Sequence, residues 1–174
     1  MNAWEKLTHW VFAWLCDRAV LSRAPDFIVG ADAEGGPYLR RWWLIPRNRL
    51  FNIYLHHFLR DDDDRALHDH PWAWCSILLR GSYLEHTIDA GGVHKRTLRT
   101  AGSIKCSLPR RAHRIELIHE WSGGRITSLA SPCWTIFITG PVVRKWGFHC
   151  AKGWVPWQAF TAEGKPGEIG RGCD

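Results

Sequence analysis

The chain has 174 residues, of which 45% are hydrophobic and 23% are charged, and its formal net charge at pH 7 is +6. This length favours one domain with its own core, and this share of hydrophobic residues excludes a disordered chain. The basic residues stand in small groups without a nucleic-acid-binding motif, which favours a solvated basic surface and leaves an anionic substrate open.

The first predicted element is an amphipathic helix over residues 3–20. Its hydrophobic residues recur with a period of 3.6 residues. The polar residues Glu5, His9 and Asp17 interrupt the apolar stretch. This interruption argues against a signal peptide and against a membrane span.

Six cysteines are spread along the chain and form no CxxC pair. This spacing matches neither a regular disulfide framework nor a zinc site. We therefore expect mostly reduced thiols and a cytoplasmic protein.

The middle of the chain predicts an all-β barrel or sandwich, since short β patterns follow one another without βαβ alternation or an internal repeat. Nine strands are predicted, at residues 38–45, 50–59, 73–80, 82–88, 94–99, 103–107, 113–118, 126–130 and 133–139. The aromatic segment 141–162 is expected to cover an open sheet edge, with capping of the barrel mouth as the alternative. The Gly-rich tail 163–174 is expected to be flexible.

The segment His68-Asp69-His70-Pro71-Trp72 carries the strongest chemical signal. Alternate residues of a strand point to the same side, so the imidazoles of His68 and His70 can reach one metal ion. His113 lies on a later predicted strand and would supply a third nitrogen if the sheet closes into a barrel. Three histidines leave coordination positions open, which suits catalysis better than a closed structural site.

The histidine pattern resembles the two motifs of the cupin superfamily. His68, His70 and Gly81 match the first motif, while Gly102, Pro109 and His113 approximate the second. The resemblance covers residues 38–140 and implies a single cupin domain over 1–174. Its expected fold is a double-stranded β-helix, or jelly-roll barrel, preceded by the N-terminal α-helix. It also implies one divalent transition metal on the three histidines, and pairing of two chains into a homodimer.

One cupin branch, the thiol dioxygenases of the cysteine dioxygenase type, is similar in a further detail. Its members hold ferrous iron with three histidines and carry a cysteine five residues after the second histidine, where Cys75 stands here. In that family the cysteine bonds to a tyrosine on a late strand. The corresponding segment, 133–139, contains no tyrosine. Cys75 is thus a candidate catalytic residue, with a small buried hydrophobe as the alternative.

Two further residues are candidates for the site. Arg60 is a candidate for gripping a substrate carboxylate, because a guanidinium binds carboxylates through two parallel hydrogen bonds. His149, in the aromatic segment, is a candidate fourth ligand or acid–base group. A surface role for Arg60 is the alternative.

These patterns predict a non-haem Fe(II) dioxygenase acting on a small anionic or thiol substrate, with nickel, manganese or zinc as alternative metals. Trp72 and Trp74 are expected to keep its pocket dry. A non-oxidative isomerase or epimerase, and a small-ligand-binding module without catalysis, are the competing hypotheses. Neither a membrane nor a nucleic-acid partner is expected.

Overall fold

The computed structural model describes residues 3–30, 36–62, 66–122, 125–163, 168 and 170–174. Two α-helices are present, α1 (Ala3–Leu15) and α2 (Trp157–Phe160), and α1 continues as a π-helical turn over Cys16–Val20. The strands are β1 (Phe27–Val29), β2 (Leu39–Trp43), β3 (Asn52–Phe58), β4 (Leu67–His68), β5 (Trp74–Arg80), β6 (Ser82–Asp89), β7 (Val93–Thr100), β8 (Ile104–Ser107), β9 (His113–Leu117), β10 (His119–Ser122), β11 (Arg125–Ala130), β12 (Cys133–Thr139), β13 (Gly147–Cys150) and β14 (Gly153–Pro156).

Eight of these strands form a jelly-roll barrel. One sheet contains β3-β12-β5-β8 and the other β4-β9-β6-β7, and every pairing between neighbours is antiparallel. Counted along the chain as strands one to eight, the sheets read 1-8-3-6 and 2-7-4-5. This order is that of two Greek keys rolled together, a double-stranded β-helix. The predicted all-β barrel is confirmed.

Additional strands extend both sheets at one edge. Strands β1 and β2 lengthen the first sheet beside β3, and the hairpin β13-β14 lengthens the second sheet beside β4. This hairpin belongs to the predicted aromatic segment, which therefore covers the edge of the strand that carries His68, as expected. The sequence patterns did not predict β1, β4, β10, β13 or β14, all of which have four residues or fewer.

Helix α1 lies against the outer face of the first sheet, where Phe12, Leu15 and Ala19 are buried together with Trp42 and Leu55. The opposite side of this helix keeps large apolar side chains in solvent, since Trp10 is 62% exposed. No helix in the described part of the chain has the length and apolar character needed to cross a membrane.

The expectation of reduced thiols is wrong for four of the six cysteines. Cys75 is bonded to Cys106 between β5 and β8, and Cys150 is bonded to Cys173, while Cys16 and Cys133 are free thiols. Antiparallel register places Cys75 directly opposite Cys106, a relation between distant segments that spacing along the chain does not reveal. The argument for a cytoplasmic location that rested on reduced thiols no longer applies.

The end of the predicted flexible tail is bound to the barrel. Residues 164–167 and 169 lie outside the described residues. Beyond them the backbone N–H groups of Gly170 and Gly172 donate to the Phe160 carbonyl, at 2.9 and 3.1 Å. The bond from Cys173 to Cys150 holds the same stretch, so the described end differs from the expected loose tail.

Two apolar clusters divide the barrel interior. Leu78, Tyr83, Ile115, Leu117 and other buried residues fill one region. The aromatic side chains of Tyr54, Trp74 and Phe137, with Trp43 and Trp72 packed against them, fill another. The predicted metal histidines lie in the aromatic region.

Substitution of Gly81 by alanine should destabilise the barrel more than the same change at Gly91. Both glycines have positive φ, +85° and +80°, which L-residues rarely adopt. A Cβ at Gly81 would meet the Pro132 carbonyl oxygen at 2.7 Å, whereas a Cβ at Gly91 would meet no described atom within 4 Å. We expect losses of about 2–4 kcal/mol for Gly81→Ala and about 1 kcal/mol for Gly91→Ala, measured by urea unfolding. Equal losses would contradict the close packing of Gly81 on β12.

Candidate metal centre

The barrel brings the three predicted ligands together. His68 on β4 is the direct register partner of His113 on β9, and His70 follows where the chain leaves β4. One ligand nitrogen from each imidazole lies within 4.8 Å of the other two, and the Nε2 atoms of His70 and His113 are 2.9 Å apart. In the described part of the chain this is the one group of three or more metal-ligating side chains with such spacing.

The geometry and the protonation of these imidazoles fit a metal ion. Two nitrogens bound about 2.1 Å from a metal at a right angle lie about 3.0 Å apart, close to the observed separation of His70 and His113. Burial lowers the pKa of His68 to about 4, and burial lowers the pKa of His70 well below its usual value. Both imidazoles are therefore neutral at pH 7 and offer lone pairs to a cation.

Glu85 orients the third imidazole. Its carboxylate, 1% exposed on β6, lies 3.0 Å from Nδ1 of His113. Burial by itself would raise the pKa of Glu85, but the hydrogen bonds from His113 and Lys105 outweigh burial and lower the pKa to about 2. An ionised Glu85 keeps the proton of His113 on Nδ1 and leaves Nε2 free to bind a metal, as outer-shell carboxylates do.

Two acids before β4 fix the neighbouring strand. Asp62 accepts the backbone N–H of Ile115 at 2.7 Å, and its carboxylate lies 3.7 Å from Nδ1 of His68. Asp61 accepts the N–H of Leu117 at 2.6 Å. Asp61 and Asp62 thus attach the segment before β4 to β9.

Asp69 separates the two histidines and faces the other way. It is 1% exposed, and its carboxylate accepts the backbone N–H of Gly147 at 2.9 Å and the indole N–H of Trp154 at 3.1 Å. Arg144 pairs with the same carboxylate at 2.8 Å, and His149 Nε2 lies 3.2 Å from it. The residue between the ligands therefore ties the metal motif to the β13-β14 hairpin.

Aromatic rings surround the centre. The Trp74 ring stacks on His113 with centroids 4.8 Å apart and lies 5.4 Å from His70. Trp72 lies 6.3 Å from His70, and Phe148 of β13 lies 6.0 Å from His68. Trp72 and Trp74 therefore lie beside the candidate metal histidines.

Cys75 does not face the histidines, which corrects the prediction that it takes part in catalysis. Trp74 points into the barrel, so its neighbour Cys75 points to the outer face, where it is bonded to Cys106. The spacing of five residues after His70 matches the dioxygenase pattern, but the strand alternation places the sulfur on the wrong side of the sheet.

His149 is also turned away from the centre. Its register partner in β4 is Leu67, whereas its neighbour Phe148 is opposite His68. The imidazole is 43% exposed and contacts Asp69 instead of the metal histidines. This position corrects its assignment as a fourth ligand.

Arg60, the predicted carboxylate anchor, lies just beyond β3. Its Nε donates to the Gly36 carbonyl oxygen at 2.9 Å, which attaches this side chain to the segment before β2. Sequence reasoning named neither Glu85 nor Asp69. The alternation of the His68-Asp69-His70 motif implies an outward Asp69, but only the pairing of β6 with β9 brings Glu85 to His113.

Replacing Asp69 by asparagine should destabilise the protein by about 2–4 kcal/mol. The amide of asparagine would place its own N–H group opposite the buried N–H groups that now donate hydrogen bonds to the carboxylate. Urea unfolding measures the loss. Asp89→Asn is the matched control, because Asp89 is exposed and its pair with Lys95 is 3.5 Å long, so we expect a change under about 0.5 kcal/mol. Equal changes in the two variants would contradict the anchoring role of Asp69.

No protein-family model matches the chain, and no curated protein matches it. Among solved structures, a cupin superfamily protein from Desulfitobacterium hafniense is 10% identical, with 59% of this chain and 77% of that chain covered and a TM-score of 0.43. An uncharacterized protein with a double-stranded β-helix domain from Klebsiella pneumoniae is 15% identical, with 63% and 83% covered and a TM-score of 0.43. Oxalate decarboxylase from Bacillus subtilis, an enzyme with Mn(II) centers, is 15% identical, with 74% and 30% covered and a TM-score of 0.48.

The fold assignment rests on the strand order of this chain. The two sheets read 1-8-3-6 and 2-7-4-5, and the described chain adds an N-terminal helix and edge strands to them. The chain therefore folds as a double-stranded β-helix, the fold that the resemblance of its histidine motifs to the cupin superfamily implies.

Proposed function

We propose that the chain is a mononuclear metal-dependent enzyme, a non-haem iron oxygenase that acts on a small substrate at the three-histidine centre. The convergence of His68, His70 and His113 within 4.8 Å carries this proposal. Three facial nitrogens leave positions open on a metal, and a ferrous ion there would supply binding and activation of substrate and dioxygen.

The surrounding residues have defined parts in this proposal. Glu85 holds the proton of His113 on Nδ1, which fixes the tautomer that presents Nε2 to the metal. Asp69 fixes the backbone between the other two ligands. The rings of Trp74 and Phe148 displace water from the sides of the imidazoles that they cover.

Iron(II) is the first metal to test, with nickel, manganese and zinc as alternatives, because imidazole ligands by themselves do not select among these ions. Oxidation of a thiol loses its support, because the argument for it depended on Cys75 and this residue faces away from the centre. A small anion remains the proposed substrate class.

Protein purified without a metal-affinity tag should contain about one transition-metal ion per chain, and His113→Gln should remove most of it, because two imidazoles bind a metal far more weakly than three. Elemental analysis measures the metal. His94→Gln is the control, since His94 is exposed on β7 and contacts His86 instead of the centre. Native protein without metal, or full metal content in His113→Gln, would contradict the proposal.

Dioxygen uptake by the iron-loaded protein across a panel of small acids then tests the reaction. Uptake that depends on one acid and on intact His113 is expected. Turnover that survives chelation would instead favour a non-oxidative isomerase or epimerase. Saturable binding without any turnover would favour a ligand-binding module.

Glu85→Gln should weaken metal binding by about 10- to 100-fold, because glutamine removes the negative charge that holds the Nδ1 proton of His113. Competition with a chromophoric chelator measures the dissociation constant. Glu116→Gln is the matched control, because Glu116 pairs at 2.8 Å with His86, which is not one of the three ligands. Equal affinities of the two variants would show that Glu85 has no part in holding the metal.

A further inference from the structure

Arg41 is a half-buried cation on the inner face of β2, and none of the described carboxylates pairs with it. On β2 it shares a face with Leu39 and Trp43, whose side chains pack in the two interior clusters. Its Nε donates to Nε2 of His56 at 2.8 Å, and its guanidinium carbon lies 4.9 Å from the Tyr54 ring centroid. Among the described residues, no carboxylate forms an ion pair with it.

Such a charge is costly to bury. Burial lowers the pKa of Arg41 to about 10, so the guanidinium still carries its proton and its charge at pH 7. A cation that is largely withdrawn from water is normally paired with an anion, because the lost hydration is otherwise not replaced. The contacts with the Tyr54 and Phe27 rings and the hydrogen bond to His56 engage the guanidinium but supply no negative charge.

Three ring nitrogens near Arg41 and the metal centre are also unpaired. Nδ1 of His56, Nε1 of Trp72 and Nε1 of Trp74 are buried and have no described hydrogen-bond partner. Because Nε2 of His56 accepts from Arg41, Nδ1 of this imidazole carries the hydrogen. All three are therefore N–H donors, and an indole N–H is never an acceptor.

These donors adjoin the three-histidine centre. Trp74 stacks on His113, and Trp72 lies beside His70. His56 is 5.0 Å from Phe137 between ring centroids, and Phe137 is 6.0 Å from His70. Among the described residues, the inner face of the first sheet thus presents Arg41, which has no carboxylate partner, together with several unused donors, whereas Lys105 of the same sheet is paired with Glu85.

From this arrangement we infer that Arg41 anchors a carboxylate of the substrate that reacts at the three-histidine centre. This inference rests on the proposed function. An oxygen-rich anion satisfies unused N–H donors and neutralises the half-buried guanidinium, whereas an amine or a neutral hydrocarbon does neither. The planar guanidinium matches a carboxylate through two parallel hydrogen bonds. Arg41, rather than Arg60, is then the specificity-determining arginine.

Calorimetric titration with malonate tests this inference on the full chain as isolated and again after removal of metal by chelation. We expect saturable binding to the native protein and a loss of about 10- to 100-fold in affinity in Arg41→Gln, because a charge-assisted pair is lost. Arg40→Gln is the matched control. It removes the same charge from the adjacent position of β2, where the side chain is exposed on the outer face, and its affinity should equal that of the native protein.

Arg41→Lys keeps the positive charge at this position, and it replaces Arg41→Gln in the titration if Arg41→Gln does not fold. Its affinity should fall between those of the native protein and Arg41→Gln, because an ammonium lacks the two-pronged geometry. Malonamide, the uncharged analogue, should not bind. Inorganic phosphate is the competing anion, and tighter binding of phosphate than of malonate would overturn the assignment to carboxylates.

Metal analysis of the same samples separates the two proposals. Arg41→Gln should retain the native metal content, because Arg41 is not a ligand. Native protein without metal that still binds malonate through Arg41 would overturn the metal-dependent function and keep the anion site. Equal malonate affinity in Arg41→Gln and Arg40→Gln, or no binding to the native protein, would overturn the role of Arg41 whatever the metal content.

Discussion

The buried carboxylate of Asp69 is the contact on which the candidate centre depends. It lies between His68 and His70, two of the candidate metal ligands, and strand alternation turns it away from them. There it accepts hydrogen bonds from the backbone of Gly147 and the indole of Trp154, and it pairs with Arg144. These partners come from the C-terminal segment. One side chain therefore fixes both the hairpin that covers the edge of β4 and the position of His68 and His70.

Charges inside the barrel are compensated unequally. The negative charge of Glu85, on the second sheet, is balanced by Arg99 and Lys105. The same carboxylate also contacts His113 and orients its ring. On the first sheet, Arg41 has no such compensation among the described residues, and unpaired N–H groups stand near it. A divalent cation on the three histidines would add further positive charge. The interior is therefore suited to an anion that enters from solvent.

The sequence predicted the centre better than its surroundings. His68 and His70 follow from a two-residue period, and His113 follows from its place on a later strand of a barrel. The prediction failed for Cys75 and His149, because a spacing taken from a family motif does not state which face of the sheet a side chain occupies. For Arg60 the sequence did not indicate its hydrogen bond to Gly36, because that contact joins segments far apart along the chain.

By itself, the sequence determined the class of fold, most strand positions, the N-terminal helix and the three histidines, since these depend on local periodicity and turn residues. Only the tertiary structure decided the partners of those residues. Cross-strand register paired Cys75 with Cys106 and His68 with His113, and the pairing of β6 with β9 brought Glu85 to the metal ligand. The physical reason is that hydrogen-bonded register and burial join residues tens of positions apart, and a pattern along the chain contains no record of which distant strand becomes a neighbour.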